Sequence, residues 1–255
     1  MNQTEKLIED MNKSICCIVP ARNESGHLIN VVNEVLSVEE IHEIIIVEGG
    51  SSDDTLQVAK QIELTHPKKV KVVQQDGKGK FNAVLEGSKM CTKDLILVWD
   101  ADGTVPLEGT RRIIELSLRT GSPVIGDRLR GKISKGAMQK INWLGNWFFA
   151  FLWSPILRSK PTDMLCGTKI FPTLIFKEMP KWLIEHDPYG DFALVAFARA
   201  RNLKVLSEVV DYNARSYGVT NINRWVGALQ LFKTTFKVYV GFTVNKVFKV
   251  SYFHE

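Results

Sequence analysis

The chain has 255 residues, 45% of them apolar, and its 33 basic and 28 acidic side chains leave a net charge of +5. That length and mixture describe a globular protein with a full core, in one large or two small domains, rather than a disordered chain. The mild positive balance favours anionic partners such as nucleotide phosphates or an acidic membrane surface, and it lacks the basic stripe of a nucleic-acid binder. The four cysteines, Cys16, Cys17, Cys91 and Cys166, have no metal-type spacing and read as small core residues of a reducing compartment. The first ten residues are polar and acidic, with no apolar segment behind a basic start. No secretory signal is expected, and a cytoplasmic location follows.

Strand-like and helix-like runs alternate through the first hundred residues. Ile15 to Val19 reads as a strand, and Leu28, Val31, Val32, Val35 and Leu36 recur at helical spacing. A strand at Ile44 to Val47, a helix through Leu56, Ala59 and Ile62, a strand at Val70 to Val73 and a helix with Phe81, Val84 and Leu85 follow. The next run, Leu95 to Trp99, is continuously apolar, the pattern of a strand covered on both faces. A helix near Leu107 to Leu118 and a short strand at Val124 and Ile125 close the alternating part. This order predicts an α/β fold with a mostly parallel sheet, helices on both faces and a ligand site at the carboxyl ends of the strands. No repeat, low-complexity tract or linker divides the chain.

Ile141 to Leu157 is rich in Trp and Phe but is too short and interrupted to span a bilayer. Arg128, Arg130, Lys132, Lys135 and Lys140 precede it, so it reads either as a membrane-interface element or as a core helix with solvated lysines. Trp225 to Phe248 carries Lys233, Lys237 and Lys246 and reads as a basic amphipathic helix. The expected organisation is one domain over residues 1–220, with 221–255 as an appended C-terminal interface helix.

Three strand ends carry polar, turn-forming clusters: Pro20-Ala21-Arg22-Asn23-Glu24, Glu48-Gly49-Gly50-Ser51-Ser52-Asp53 and Asp100-Ala101-Asp102. Asp100 and Asp102 project to one side of their strand and can offer two carboxylates to Mg²⁺ or Mn²⁺, or cap the next helix. Glu48-Gly49-Gly50-Ser51-Ser52-Asp53 can bring backbone close to a nucleotide, or serve as an ordinary capped loop. Gly77-Lys78-Gly79-Lys80 suits an anion at a helix start or a solvated basic turn, and it is not a Walker A loop. Asp187 and Asp191 flank Pro188-Tyr189-Gly190; either could act as a general base, and Asp191 could equally cap or acidify the start of the helix that follows. The five histidines share no ligand spacing.

In this order the motifs resemble the family-2 glycosyltransferases of the GT-A fold, a Rossmann-like sheet, and within them the polyprenyl-phosphate sugar synthases. The resemblance runs from Ile15 to Trp225. It rests on Ile18 to Glu24, Val47 to Thr55, Trp99-Asp100-Ala101-Asp102-Gly103, Gly126-Asp127-Arg128, Asp163 to Lys169, and the late Arg215 to Ile222 element. It implies that Pro20, Ala21, Glu24 and Glu48 line the donor nucleotide, with Asp53 close by. Asp100 and Asp102 would bind metal and diphosphate, Arg128 and Arg215 would contact phosphate groups, and Asp191 would sit beside the acceptor. The implied activity is inverting transfer of a sugar from a nucleotide-sugar donor to a polyprenyl-phosphate acceptor, by a protein peripheral to the cytoplasmic membrane face and serving cell-envelope glycan synthesis. Transfer to a saccharide or lipid-linked hydroxyl, and non-catalytic sugar-nucleotide binding, are the alternatives. Glu48 is followed by Gly49 where a second acidic residue is usual, Arg22 stands where an aromatic is common, and Thr104 replaces a more usual polar residue.

Overall fold

The computed structural model describes residues 13–160, 162–215 and 224–248. Its strands are β1 (Ile15–Ala21), β2 (Ile41–Glu48), β3 (Val70–Gln74), β4 (Leu95–Val98), β5 (Val124–Asp127), β6 (Lys169–Pro172) and β7 (Leu206–Val209). The helices are α1 (Leu28–Leu36), α2 (Thr55–Thr65), α3 (Lys80–Met90), α4 (Leu107–Thr120), α5 (Lys140–Leu157), α6 (Thr173–Lys177), α7 (Lys181–His186), α8 (Asp191–Ala200) and α9 (Arg224–Phe248). All seven strands join one sheet in the order β3-β2-β1-β4-β6-β5-β7. β1 to β4 run parallel, as do β5 and β7, while β6 is antiparallel to both its neighbours. The mostly parallel α/β sheet expected from the alternation is present.

The continuous apolar runs are explained by a core on each face. Cys16, Ile18, Ile45, Val47, Ile96 and Val98 point into one core, with α3, α5, α6 and α8. Ile15, Cys17, Val19, Ile44, Ile46, Leu95 and Leu97 point into the other, with α1, α2 and α4. A period of two along β1, β4 and residues 43–48 of β2 therefore buries nearly every residue.

β6 and β7 were not expected from the sequence. β6 is four residues long, opens on Lys169 and closes on Pro172, and pairs with β4 from Leu95↔Pro172 to Val98↔Lys169. Its amino end therefore lies at the same rim as the carboxyl end of β4.

The aromatic segment forms α5, and the helical period divides it. Phe149, Ala150, Trp153 and Ile156 are buried, and Trp153 stacks on Phe192 with ring centroids 4.9 Å apart. Ile141, Leu144, Phe148 and Phe151 are exposed. α9 packs on α8 and α7: Val238 is buried in the core, and Trp153 Nε1 donates to Thr235 Oγ1 at 3.4 Å. The expected boundary at 220/221, and residues 216–222 of the late motif, lie outside the described residues.

Asp187 is fully buried and satisfies the start of α8: its Oδ2 accepts from Phe192 N at 2.9 Å and Ala193 N at 2.8 Å. These are helix N–H groups with no intrahelical partner. Burial pushes its carboxyl up to about 6, Asp191 adds to the rise, and the backbone donors oppose it. The folded value lies above the ordinary 3.8, so folding takes up a proton between the two. Stability from this group falls as pH rises from about 4 to about 6 and is level above that. Asp187→Asn keeps the shape and removes the titration. Relative to the parent chain it should gain about 2–3 kcal/mol across that window in urea unfolding. A difference that does not change with pH would exclude proton uptake at Asp187.

Candidate active site

The strand order reverses direction beside β1: the chain runs outward through β2 and β3, then returns to place β4 on the other side. Parallel neighbours with connections leaving in opposite directions open a crevice at their carboxyl ends. A cleft of about 910 Å³ lies there. Its walls come from Pro20 and Ala21 at the end of β1 and Glu24 after it, Gly49 and Gly50 after β2, Lys78 and Lys80 at the start of α3, and Asp100 and Asp102 after β4. Tyr212 and Arg215 close it from the segment after β7.

Both carboxylates that follow β4 are paired with a cation. Asp100 forms an ion pair with Lys80. Asp102 Oδ2 accepts from Arg215 Nη2 at 2.7 Å, and its Oδ1 accepts from Thr104 N at 3.1 Å and Thr104 Oγ1 at 2.8 Å. Arg215 Nη1 also lies 3.1 Å from Glu24 Oε1. Burial works to raise the Asp102 carboxyl, but the hydrogen bonds from Arg215 and Thr104 outweigh it and hold the group below the ordinary value. Glu24 goes the other way. Burial drives its carboxyl up to about 7 against the pull of Arg215, and Asp102 and Asp100 reinforce the rise.

This donor set fits a hard divalent cation. Three carboxylates converge here and share ion pairs with Lys80 and Arg215, and Glu24 Oε2 is buried with no hydrogen-bond partner among the described residues. Every carboxylate donor is a hard oxygen of the kind Mg²⁺ and Mn²⁺ prefer.

The first two loops are stitched together before any ligand is considered. Asn23, in the left-handed conformation at φ 56°, accepts from Ser52 N at 2.9 Å through its side chain. Asp53 Oδ2 accepts from Ser25 N at 3.2 Å and Ser25 Oγ at 2.8 Å, and its Oδ1 takes Thr55 N at 3.0 Å. Glu48 Oε1 accepts from Ser51 N at 2.6 Å. Asp53 and Glu48 thus shape the loops whose neighbours form the wall.

Of the residues expected at the site, Pro20, Ala21, Glu24, Asp100, Asp102 and Arg215 share the cleft wall. Glu48, Asp53, Arg128 and Asp191 do not line it. Arg128 is held by Asp163, with Nε 2.6 Å from Oδ2 and Nη2 3.2 Å from Oδ1, and its guanidinium lies 4.9 Å over the ring of Tyr212. It thereby backs Tyr212, which is on the wall. Asp191 is ion-paired with the buried Lys169. Lys169, Tyr212 and the steric role of Gly167 were not anticipated. A Cβ on Gly167 would fall on Asp100 Oδ2 and lie 2.6 Å from Lys80 Nζ, so only glycine leaves room for that pair. The signal available in the sequence was the Asp163 to Lys169 motif, which ends in this glycine and the β6 lysine.

Residues 16–174 match the model of glycosyl transferase family 2. The chain belongs to that family. A dolichyl-phosphate beta-glucosyltransferase of Trichomonas vaginalis is 28% identical over 218 residues, 77% of this chain and 63% of the relative. A poly-beta-1,6-N-acetyl-D-glucosamine synthase of Staphylococcus aureus is 30% identical over 152 residues, 56% of this chain and 36% of the relative. The chain thus spans less than two thirds of the length of these curated relatives. Among solved structures, glucosyl-3-phosphoglycerate synthase from Mycobacterium tuberculosis with Mn²⁺, UDP-glucose and phosphoglyceric acid superposes with a TM-score of 0.66 at 16% identity, over 89% of this chain and 80% of that one. The same enzyme with Mg²⁺ and UDP gives a TM-score of 0.62 at 17% identity, over 92% of this chain and 79% of that one. The fold is the GT-A arrangement.

Gly167→Ala isolates the geometry around Asp100, because the atoms it displaces are the far ends of two side chains. Overpacking should cost about 1–2 kcal/mol of stability. Affinity for nucleoside diphosphate with Mn²⁺, read by calorimetry, should fall at least about tenfold. Unchanged affinity would show that the Lys80–Asp100 arrangement is irrelevant to ligand binding.

Proposed function

We propose that this chain is an inverting, metal-dependent glycosyltransferase that moves a sugar from a nucleotide-sugar donor to a polyprenyl phosphate. The observation that carries the reading is the convergence of Glu24, Asp100 and Asp102 on one cleft at the switch point of the sheet, with Glu24 Oε2 buried and unpartnered among the described residues. Pro20, Ala21 and the glycines after β2 give the nucleotide a close backbone approach, with Glu48 and Asp53 fixing the loop shapes. Asp100 and Asp102 would hold Mg²⁺ or Mn²⁺, which supplies Lewis-acid stabilisation of the departing diphosphate. Lys80 and Arg215 offer cationic donors to phosphate oxygens. Arg128 acts from behind, through Tyr212.

The acceptor oxygen attacks the anomeric carbon from the face opposite the leaving group, so configuration inverts. A phosphate acceptor is already ionised near neutral pH and needs no general base. Asp191, the carboxylate a hydroxyl acceptor would require, is committed to Lys169 and lies off the wall. That supports phosphate over hydroxyl as the nucleophile. The expected signature is a split between variants with a polyprenyl-phosphate acceptor. Asp102→Asn should lower kcat about 10²–10³-fold, and Asp191→Asn less than about tenfold, against the 10²–10⁴ typical of a lost general base. Equal losses would favour a hydroxyl acceptor. Donor binding with no transfer at all would favour a non-catalytic sugar-nucleotide binder.

A lipid acceptor calls for a membrane-facing surface, and two helices supply one. Ile141, Leu144, Phe148 and Phe151 form an exposed stripe on α5, and Leu229, Phe232, Phe236 and Val240 form another on α9, with Lys233 and Lys237 exposed beside it. Ala137 and Gln230 carry the cleft wall to these two segments. Rings at headgroup depth with cations on lipid phosphates suit peripheral binding. Among the described residues no helix is long and apolar enough to cross a membrane. Four buried, unbridged cysteines support the reducing, cytoplasmic face. The chain should float with anionic vesicles at low salt. The double variant Phe148→Ser/Phe236→Ser should bind at least about tenfold more weakly, since each ring contributes about 1.5–3 kcal/mol when buried. A folded parent chain that stays at the bottom of the gradient would remove the lipid acceptor from first place.

A further inference from the structure

A second cluster of ligating side chains lies at the opposite end of the sheet. Cys16 of β1 is in register with Glu43 of β2, and Cys91 ends α3 just before β4. One ligand atom from each of the three lies within 4.8 Å of the others, and all three residues are buried. The three are drawn from separate elements and share no motif spacing, so only folding brings them together.

The chemistry of the group is unlike that of the cleft. A buried carboxylate beside two thiols is a costly arrangement unless a cation compensates it. Glu43 Oε2 accepts from Thr92 N at 3.0 Å, and Oε1 accepts from Lys71 Nζ at 2.8 Å. Lys71 is itself 47% exposed, so the present counter-ion is a surface side chain able to swing away. Cys91 Sγ accepts from Lys93 N at 3.4 Å, a donor that favours the thiolate, and Thr173 Oγ1 lies 3.7 Å from the same sulfur. Two sulfurs and one carboxylate oxygen, with a hydroxyl adjacent, form a donor set that selects a thiophilic ion over Mg²⁺.

We propose that Cys16, Cys91 and Glu43 form a site for a thiophilic divalent cation such as Zn²⁺. Lys71 leaves Glu43 as the ion enters, and the thiol protons pass to solvent. The ion would tie β1 and β2 to the turn that leads into β4, bracing from below the strand that carries Asp100 and Asp102 above.

Cobalt(II) titration of the full, reduced, chelator-treated chain tests this. A thiolate-to-cobalt absorption band should appear, saturate at one ion per chain and be displaced by Zn²⁺. Carboxylates cannot produce that band, so the result is independent of whether the cleft binds a metal. Cys17→Ser should keep it and Cys91→Ser should lose it. Glu43→Gln, which preserves the shape of the site, should weaken cobalt binding at least about tenfold. Zn²⁺ at a hundredfold excess over its Kd should raise the Tm of the parent chain by about 5–10 °C. Absence of the band from the folded parent, or its persistence in Cys91→Ser, would overturn the proposal.

Discussion

The site depends on holding several carboxylates together at the end of a buried strand. Asp100 and Asp102 follow a strand with core on both sides, where an uncompensated charge is expensive. Lys80 and Arg215 make the arrangement tolerable, and they come from the start of α3 and from the segment after β7. Arg215 bridges Asp102 to Glu24 and so ties the segment after β7 to the loop after β1. The carboxyl rim is thus closed by electrostatics as much as by packing, and elements far apart in sequence are brought to one cleft by the charges they balance.

The half of the fold built from buried parallel strands was legible because physics writes it plainly into the chain. Runs such as Ile15 to Val19 and Leu95 to Trp99 have no polar face, which only a doubly covered strand explains, and polar clusters at their ends mark the rim. β6 left no such mark. It is short, starts with a charged residue and ends in proline, and its place between β4 and β5 is dictated by pairing rather than by local pattern. Lys169 is tolerated in it because Asp191, from a helix start 22 residues on, neutralises it. No periodicity encodes that partnership. The same limit applies to Arg128, whose motif places it after β5 but whose bidentate partner Asp163 becomes visible only once the chain is folded.

Asp187 and α5 show two ways in which an open choice is decided by geometry. In sequence Asp187 and Asp191 were both candidates for a base, and Asp191 for the cap. Folding instead gives the N–H groups of α8 to the buried Asp187 and gives Asp191 a lysine, and neither lines the cleft. The aromatic run was open between core and interface, and the helix divides it between a buried face and an exposed one. A period of 3.6 residues sends Phe149, Trp153 and Ile156 inward and Ile141, Leu144, Phe148 and Phe151 outward.

Cations already seated on the site carboxylates change what binding means. In a bare acidic pocket, an incoming metal and diphosphate would relieve repulsion. Here Lys80 and Arg215 have relieved most of it, so any ligand must exchange for existing ion pairs, and the net gain is the difference between two well-solvated arrangements. The pairs keep Asp102 ionised, holding it below its ordinary value despite burial. Glu24 is left as the carboxyl whose charge is least supported, pushed up to about 7 and with one oxygen unpaired. The residual demand for positive charge is therefore concentrated on the first loop, next to Pro20 and Ala21, rather than spread over the rim. On the proposed function, a donor whose diphosphate arrived with a cation would satisfy that demand and offer Lys80 and Arg215 new oxygens in the same event, coupling metal and nucleotide binding through charge.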